Sequence, residues 1–138
     1  MSTNVPLRAI ILLHALGILI QAVFAGQFLS GADASVTLHE TTGWIIAALC
    51  LVQIVLAVKN TPLWFVISSV LIFLGEALQV GTGYGRFLNV HIPLSILITC
   101  GVMAQAAWAF RKRALESKCA AAMLLNSPSC WHPLNPGV

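Results

Sequence analysis

Three observations predict an all-α fold, an integral membrane antiparallel four-helix bundle with both termini on the cytoplasmic side. The 138 residues are 59% hydrophobic and 8% charged, where soluble chains carry roughly a quarter charged residues. Four apolar stretches approach the about 20 residues that a membrane-crossing helix needs. The basic residues fall almost entirely on one side of those stretches. Seven basic and four acidic side chains cannot cover a water-facing surface, and the mean hydropathy of +0.92 agrees. This balance excludes a disordered chain, a disulfide scaffold and a conventional cytosolic enzyme. A net charge of +3 built from so few cations also argues against nucleic acid as a partner.

The spans are expected at about 7–29, 39–58, 63–80 and 92–110. Ser30-Gly31-Ala32-Asp33 ends the first, Lys59-Asn60-Thr61-Pro62 separates the second from the third, and Gly81-Thr82-Gly83-Tyr84-Gly85-Arg86 closes the third. The fourth runs into Arg111-Lys112-Arg113. Pro62 and Pro93 are expected in first-turn positions, where a missing N–H costs nothing. The first stretch is long and weakly basic in front, so it reads as a span and not as a cleaved signal. Short connections then give an up-down-up-down ring.

Orientation follows from Lys and Arg. With the N-terminus inside, the cytoplasmic face holds Arg8, Lys59, Arg111, Lys112, Arg113 and Lys118, against Arg86 outside. The chain is thus expected as a multi-pass protein of the cell (inner) membrane, in contact with lipid. Residues 1–113 form the transmembrane domain and 114–138 a cytoplasmic tail, expected to be irregular. Cys119, Cys130 and His132 in that tail do not make the four-ligand spacing of a zinc site, and a reducing cytoplasm disfavours a Cys119–Cys130 disulfide. Cys50 and Cys100 read as small mid-helix packing residues.

Ionisable groups inside a span are functional candidates by default. Here they are His14, His39, Glu40, Glu76 and His91, accompanied by the amides Gln21, Gln53, Gln79 and Gln105. His39 opens the second helix and His91 the fourth, both from the outer side, so the two imidazoles lie at one depth. Helices two and four are diagonal in a sequential ring. The histidines therefore face each other across the axis, an arrangement suited to haem iron. One turn inward, Gly43 follows His39 and Ser95 follows His91. Small residues there leave room for a porphyrin, although they equally permit close helix packing. Arg86 either meets outward-pointing propionates or pairs with Asp33 or Glu76. Glu76 reads as a shallow snorkelling carboxylate or as a proton-handling group near the site. His14 reads as a hydrogen-bonded core residue, with Gln105 its candidate partner, and as a weaker candidate for iron.

The pattern resembles the bacterial four-helix cytochromes of the cytochrome b561 type, over the four spans but not the tail. The first helix carries a histidine early, in Leu13-His14-Ala15-Leu16, and the second opens with one after a short outer loop, in Leu38-His39-Glu40. In that family the fourth helix bears two histidines about 14 residues apart, or about 21 Å along a helix, one for each of two haems. Here the first is His91 and the second position is Gln105. The outer pair is retained and the inner pair half lost. The bundle is also similar to one four-helix half of haem A synthase. The resemblance implies a small b-type membrane cytochrome with one haem b near the outer face, ligated by His39 and His91. Electron transfer is its expected activity, with a membrane quinone or a redox partner protein as exchange partner and oligomerisation open. If it is an enzyme, it is a haem-dependent oxidoreductase. The alternative is a cofactor-free structural or accessory subunit of a larger membrane complex.

Overall fold

Four helices account for nearly all of the chain that the computed structural model describes, residues 5–124 for the backbone and 5–111 for the side chains. They are α1 (Val5–Leu29), α2 (Ala34–Ala57), α3 (Leu63–Tyr84) and α4 (Leu88–Leu124). Each of the four is long and apolar enough to cross a membrane. Contacts run α1–α2, α2–α3, α3–α4 and α4–α1, leaving α1/α3 and α2/α4 as the diagonals of a ring.

The helices extend beyond the expected spans, and local hydrogen bonds explain why. α2 begins at Ala34 because Ser35 N–H bonds Ala32 O and its hydroxyl reaches Gln27 Oε1 on α1. His39 is therefore already in the second turn. α3 continues through Gly81–Tyr84, with the Thr82 hydroxyl donating to Leu78 and Gln79 carbonyls and Gly85 N–H to Gly81 O. Pro62 precedes α3 in an extended conformation. Pro93, in contrast, sits inside α4, because that helix starts at Leu88 rather than at Ile92. Its ring removes one backbone bond from the second turn. α4 also continues to Leu124, so the first part of the expected irregular tail is helical. Cys130 and His132 lie outside the described residues, as does the Cys119 side chain.

The turns after α1 and α3 close alike. After α1, Ala32 N–H bonds Gln27 O and Gly31 N–H bonds Phe28 O; after α3, Phe87 N–H bonds Thr82 O and Arg86 N–H bonds Gly83 O. This is the Schellman pairing, which needs a left-handed residue at its centre. Gly31 supplies it at φ 91° and Arg86 at φ 55°.

The likeness extends through the hairpins. Gly17, whose added Cβ would press on Ile46, matches Gly75, whose Cβ would press on Ile98. The buried positions Ile46, Cys50, Gln53 and Ala57 on α2 match Ile98, Val102, Gln105 and Ala109 on α4. On α1 and α3, buried Leu7 and Ile11 match Phe65 and Ser69. The two helical hairpins, α1–α2 and α3–α4, thus match one another at most of their buried positions. Two apolar clusters fill the bundle, one around Ile18, Ile46, Ile72 and Ile98, the other around Leu7, Phe65 and Ala109. Outward lies an almost continuous coat of exposed Leu, Ile and Val, including Leu13, Leu16, Val55, Leu71 and Leu97, which soluble proteins do not present on this scale. Cys50 is buried, whereas Cys100 faces outward and does not pack in the core.

Gly17 and Gly26 distinguish packing from propensity. A Cβ at Gly17 would lie 2.9 Å from Ile46, while one at Gly26 meets nothing. Gly17→Ala should destabilise by about 1–3 kcal/mol through overpacking, and Gly26→Ala should be neutral or stabilise by up to about 1 kcal/mol. Thermal unfolding of both variants in detergent checks the contrast.

Candidate functional site

The polar side chains on the bundle axis form two layers. At the end that carries the turns 30–33 and 85–87, the His39 and His91 rings stand with centroids 6.2 Å apart, one from each of the diagonal helices α2 and α4. Each is tied to the preceding helix by a reciprocal pair of bonds. Gln21 Nε2 donates to His39 O at 2.8 Å and His39 Nδ1 contacts Gln21 O at 3.3 Å. Gln79 Nε2 donates to His91 O at 2.9 Å and His91 Nδ1 contacts Gln79 O at 3.0 Å. A carbonyl oxygen only accepts, so both Nδ1 atoms carry the proton. In the neutral rings Nε2 is then the basic nitrogen.

Around this pair, Thr42 donates to Gln21 Oε1, and Thr82 Oγ1 lies 3.3 Å from His91 Nδ1. Gly43 packs against the Gln21 amide, and Gly83 against His91 Cε1, where added Cβ atoms would come within 3.1 Å. The Ser95 hydroxyl bonds Ile92 O on its own helix. The next buried residues down α2 and α4 are Ile46 and Ile98. Two full turns return a side chain closer to its starting face than one turn does, so these isoleucines, rather than Gly43 and Ser95, occupy the axis beneath the imidazoles. Arg86 is exposed at this end and, among the described residues, pairs with neither Asp33 nor Glu76. Glu40 is also exposed and accepts a bond from Tyr84.

Deeper in the bundle is a second layer: His14, Gln53, Glu76 and Gln105 are 0%, 1%, 5% and 4% exposed. Glu76 is thus no shallow carboxylate. Its Oε1 lies 2.6 Å from His14 Nε2, across the α1/α3 diagonal. His14 Nδ1 meets Gln53 Oε1 at 3.1 Å. Gln53 Nε2 donates to Gln105 Oε1 at 2.6 Å and to Ser69 Oγ at 3.3 Å. Gln105 Nε2 donates to Ser68 and Ser69 hydroxyls, and Ser68 and Ser69 in turn donate to Phe65 O. His14 therefore reaches Gln105 through Gln53 and not directly. The likeness between the hairpins fails here, since His14 stands where α3 has Ile72 and Glu76 where α1 has Ile18.

His14, Cys50 and Glu76 also bring potential metal-ligating atoms within 4.8 Å of one another. Both His14 nitrogens are already engaged, however, whereas His39 and His91 each keep Nε2. No family model matches the chain, and no curated protein or solved structure matches it.

Metal–imidazole bonds of about 2.0–2.1 Å place two ring centroids roughly 6 Å apart when one ion lies between opposed nitrogens. The observed 6.2 Å, with the ring planes tilted by 54°, falls near that spacing and equally within the range of about 4.5–7 Å of ordinary ring packing. Nδ1–H to a backbone carbonyl is also the outer bond that ligating histidines characteristically make. Sequence reasoning places His39 and His91 together but does not connect Gln21 and Gln79 to them. The repeated Gly17-x-x-x-Gln21 and Gly75-x-x-x-Gln79 spacing is the signal that could have done so.

The amide chain behind His14 makes Gln53 and Gln105 interdependent. Gln53→Leu and Gln105→Leu should each lower the unfolding midpoint, and the double variant should lose less than their sum. The coupling expected for residues in one buried network is about 0.5–3 kcal/mol, measured as a double-mutant cycle of unfolding in detergent.

Proposed function

We propose that this protein is a small b-type membrane cytochrome of the cytochrome b561-like kind, holding one haem b through His39 and His91. The observation that carries the reading is the pair of imidazoles 6.2 Å apart across the axis, each fixed through Nδ1 by a carbonyl of the neighbouring helix. Haem bound there would supply one-electron chemistry at its iron. The chain's part is to present two basic Nε2 atoms and hold both rings against rotation through Gln21 and Gln79. A haem held by both histidines would serve electron transfer in this reading. Arg86, exposed at the same end, would meet the propionates.

In this reading the four helices cross the cell (inner) membrane with both termini inside, a topology supported by the six cytoplasmic cations against Arg86. One haem near one face does not bridge an apolar core of about 30 Å, so a membrane quinone or a redox partner protein would exchange electrons there. A cofactor-free accessory subunit is the second reading. It is favoured by Ile46 and Ile98, which fill the axis one layer below the imidazoles.

Protein expressed with added haem precursor and purified in detergent should be red. A Soret band and sharp α/β bands on reduction are expected, with one haem per chain. His39→Ala and His91→Ala should each abolish the low-spin spectrum, and His14→Ala should retain most of it in the folded fraction. Colourless protein would support the accessory-subunit reading. A His91→Ala variant with the full spectrum would overturn the ligand assignment, and a ratio of two haems per chain would overturn the single site.

A further inference from the structure

Three side chains break the likeness between the hairpins, and they do so in one place. His14, Cys50 and Glu76 are buried, and so are the aliphatic residues at the matching positions, Ile72, Val102 and Ile18. The three come from α1, α2 and α3, and a ligand-type atom from each lies within 4.8 Å of the other two. An imidazole, a thiol and a carboxylate are costly to gather in an apolar interior. The aliphatic set shows that the scaffold packs without them.

The hydrogen bonds around the cluster decide which atoms face inward. Ser68 and Ser69 donate to Phe65 O, so their oxygens accept from Gln105 Nε2. Gln105 Oε1 then accepts from Gln53 Nε2, which leaves Gln53 Oε1 to accept from His14 Nδ1–H. Such an outer bond fixes the tautomer and orientation of a ligating imidazole and leaves Nε2 for the ion. Here Nε2 is directed at Glu76 Oε1, 2.6 Å away, so the group that engages it is itself of ligand type. The carboxylate also meets the Cys50 thiol, while its buried Oε2 has no hydrogen-bond partner of ordinary length. The thiol in turn reaches Ser69 O at 3.7 Å, as a weak donor.

We infer that His14 Nε2, Cys50 Sγ and the Glu76 carboxylate form a binding site for one divalent transition-metal ion of the zinc class. Bonds of about 2.0–2.3 Å in a tetrahedral zinc centre set the ligating atoms about 3.3–3.6 Å apart. The 2.6 Å contact and the 4.8 Å limit of the cluster bracket that spacing. The entering ion displaces the Cys50 thiol proton and the proton between His14 Nε2 and Glu76 Oε1, and both leave to water. Two positive charges enter as two depart, so the interior gains no net charge. Glu76 Oε2 or a water completes the four ligands. A mixed sulfur, nitrogen and oxygen set suits zinc rather than magnesium or calcium, which take oxygen. The ion would join α1, α2 and α3 in the deeper layer. It shares no residue with the His39–His91 pair, so the inference stands apart from the haem reading.

Full-length protein purified in detergent, incubated with zinc chloride and passed through gel filtration, tests the site. One zinc per chain should be retained. X-ray absorption at the zinc edge should show one sulfur at about 2.3 Å with nitrogen and oxygen ligands at about 2.0–2.2 Å, a readout that needs no variant to fold. Cys50→Val places on α2 the residue type of the matching position, Val102, and should fold and lose the ion. Glu76→Gln should weaken binding at least about tenfold. Cys100→Ser, whose thiol faces outward, should keep one zinc per chain. Wild-type protein that retains no zinc would overturn the site, as would a zinc centre without sulfur. Zinc kept in Cys50→Val would also overturn it, whether the ion then depends on another cysteine or on His39 and His91. Retained zinc is counted in red and in colourless protein alike, so failure of the haem reading and failure of this site are separate results.

Discussion

The reciprocal bonds between Gln21 and His39, and between Gln79 and His91, are the constraint on which the end of the bundle carrying the turns 30–33 and 85–87 depends. Each amide donates to the histidine's own carbonyl while its backbone carbonyl takes the imidazole Nδ1 proton. A side chain entering an apolar interior must bring its partners with it. Here one glutamine satisfies a histidine while fixing the register of α1 on α2, and its counterpart does so for α3 on α4. Gly17 and Gly75 lie one turn below, where the missing side chains let Ile46 and Ile98 close in. Register, tautomer and ring orientation are set by a single repeated device.

A repeated scaffold with a polar asymmetry follows from the same rule. On the axis, like residues from the two hairpins meet: His39 with His91, and Gln53 with Gln105. Between these layers a strict repeat would set a second isoleucine opposite Ile18 and a second histidine opposite His14. At those positions α3 carries Glu76 and Ile72. The two polar departures, His14 and Glu76, find each other across the α1/α3 diagonal. A buried polar contact of this kind is weak evidence for stability, because desolvating both groups opposes the attraction between them. Glu76 lies one turn from Gln79, the residue that holds His91.

Much of this is legible from the sequence, and the limits are specific. The four helices, their order and the common depth of His39 and His91 follow from apolar length and from punctuation. The depth of Glu76 does not, because the glycines at 81, 83 and 85 look like a loop. The Thr82 hydroxyl and the Gly85 N–H keep α3 helical there, which places Glu76 about one turn deeper. The same extension of α4 to Leu88 puts Pro93 inside a helix. Rotational phase is the harder quantity. Gly43 and Ser95 look axial at one turn below the histidines, whereas the position seven residues on is the axial one, and it is isoleucine in both hairpins.

The central proposal is that His39 and His91 of one chain together would hold a single haem. Low-temperature electron paramagnetic resonance of the oxidised protein tests this most directly, because it reports the axial ligands rather than the mere presence of pigment. The account predicts one low-spin ferric signal of the bis-imidazole type per chain, lost in both His39→Ala and His91→Ala. A purely high-spin signal from wild-type protein, or no ferric haem signal, would contradict it.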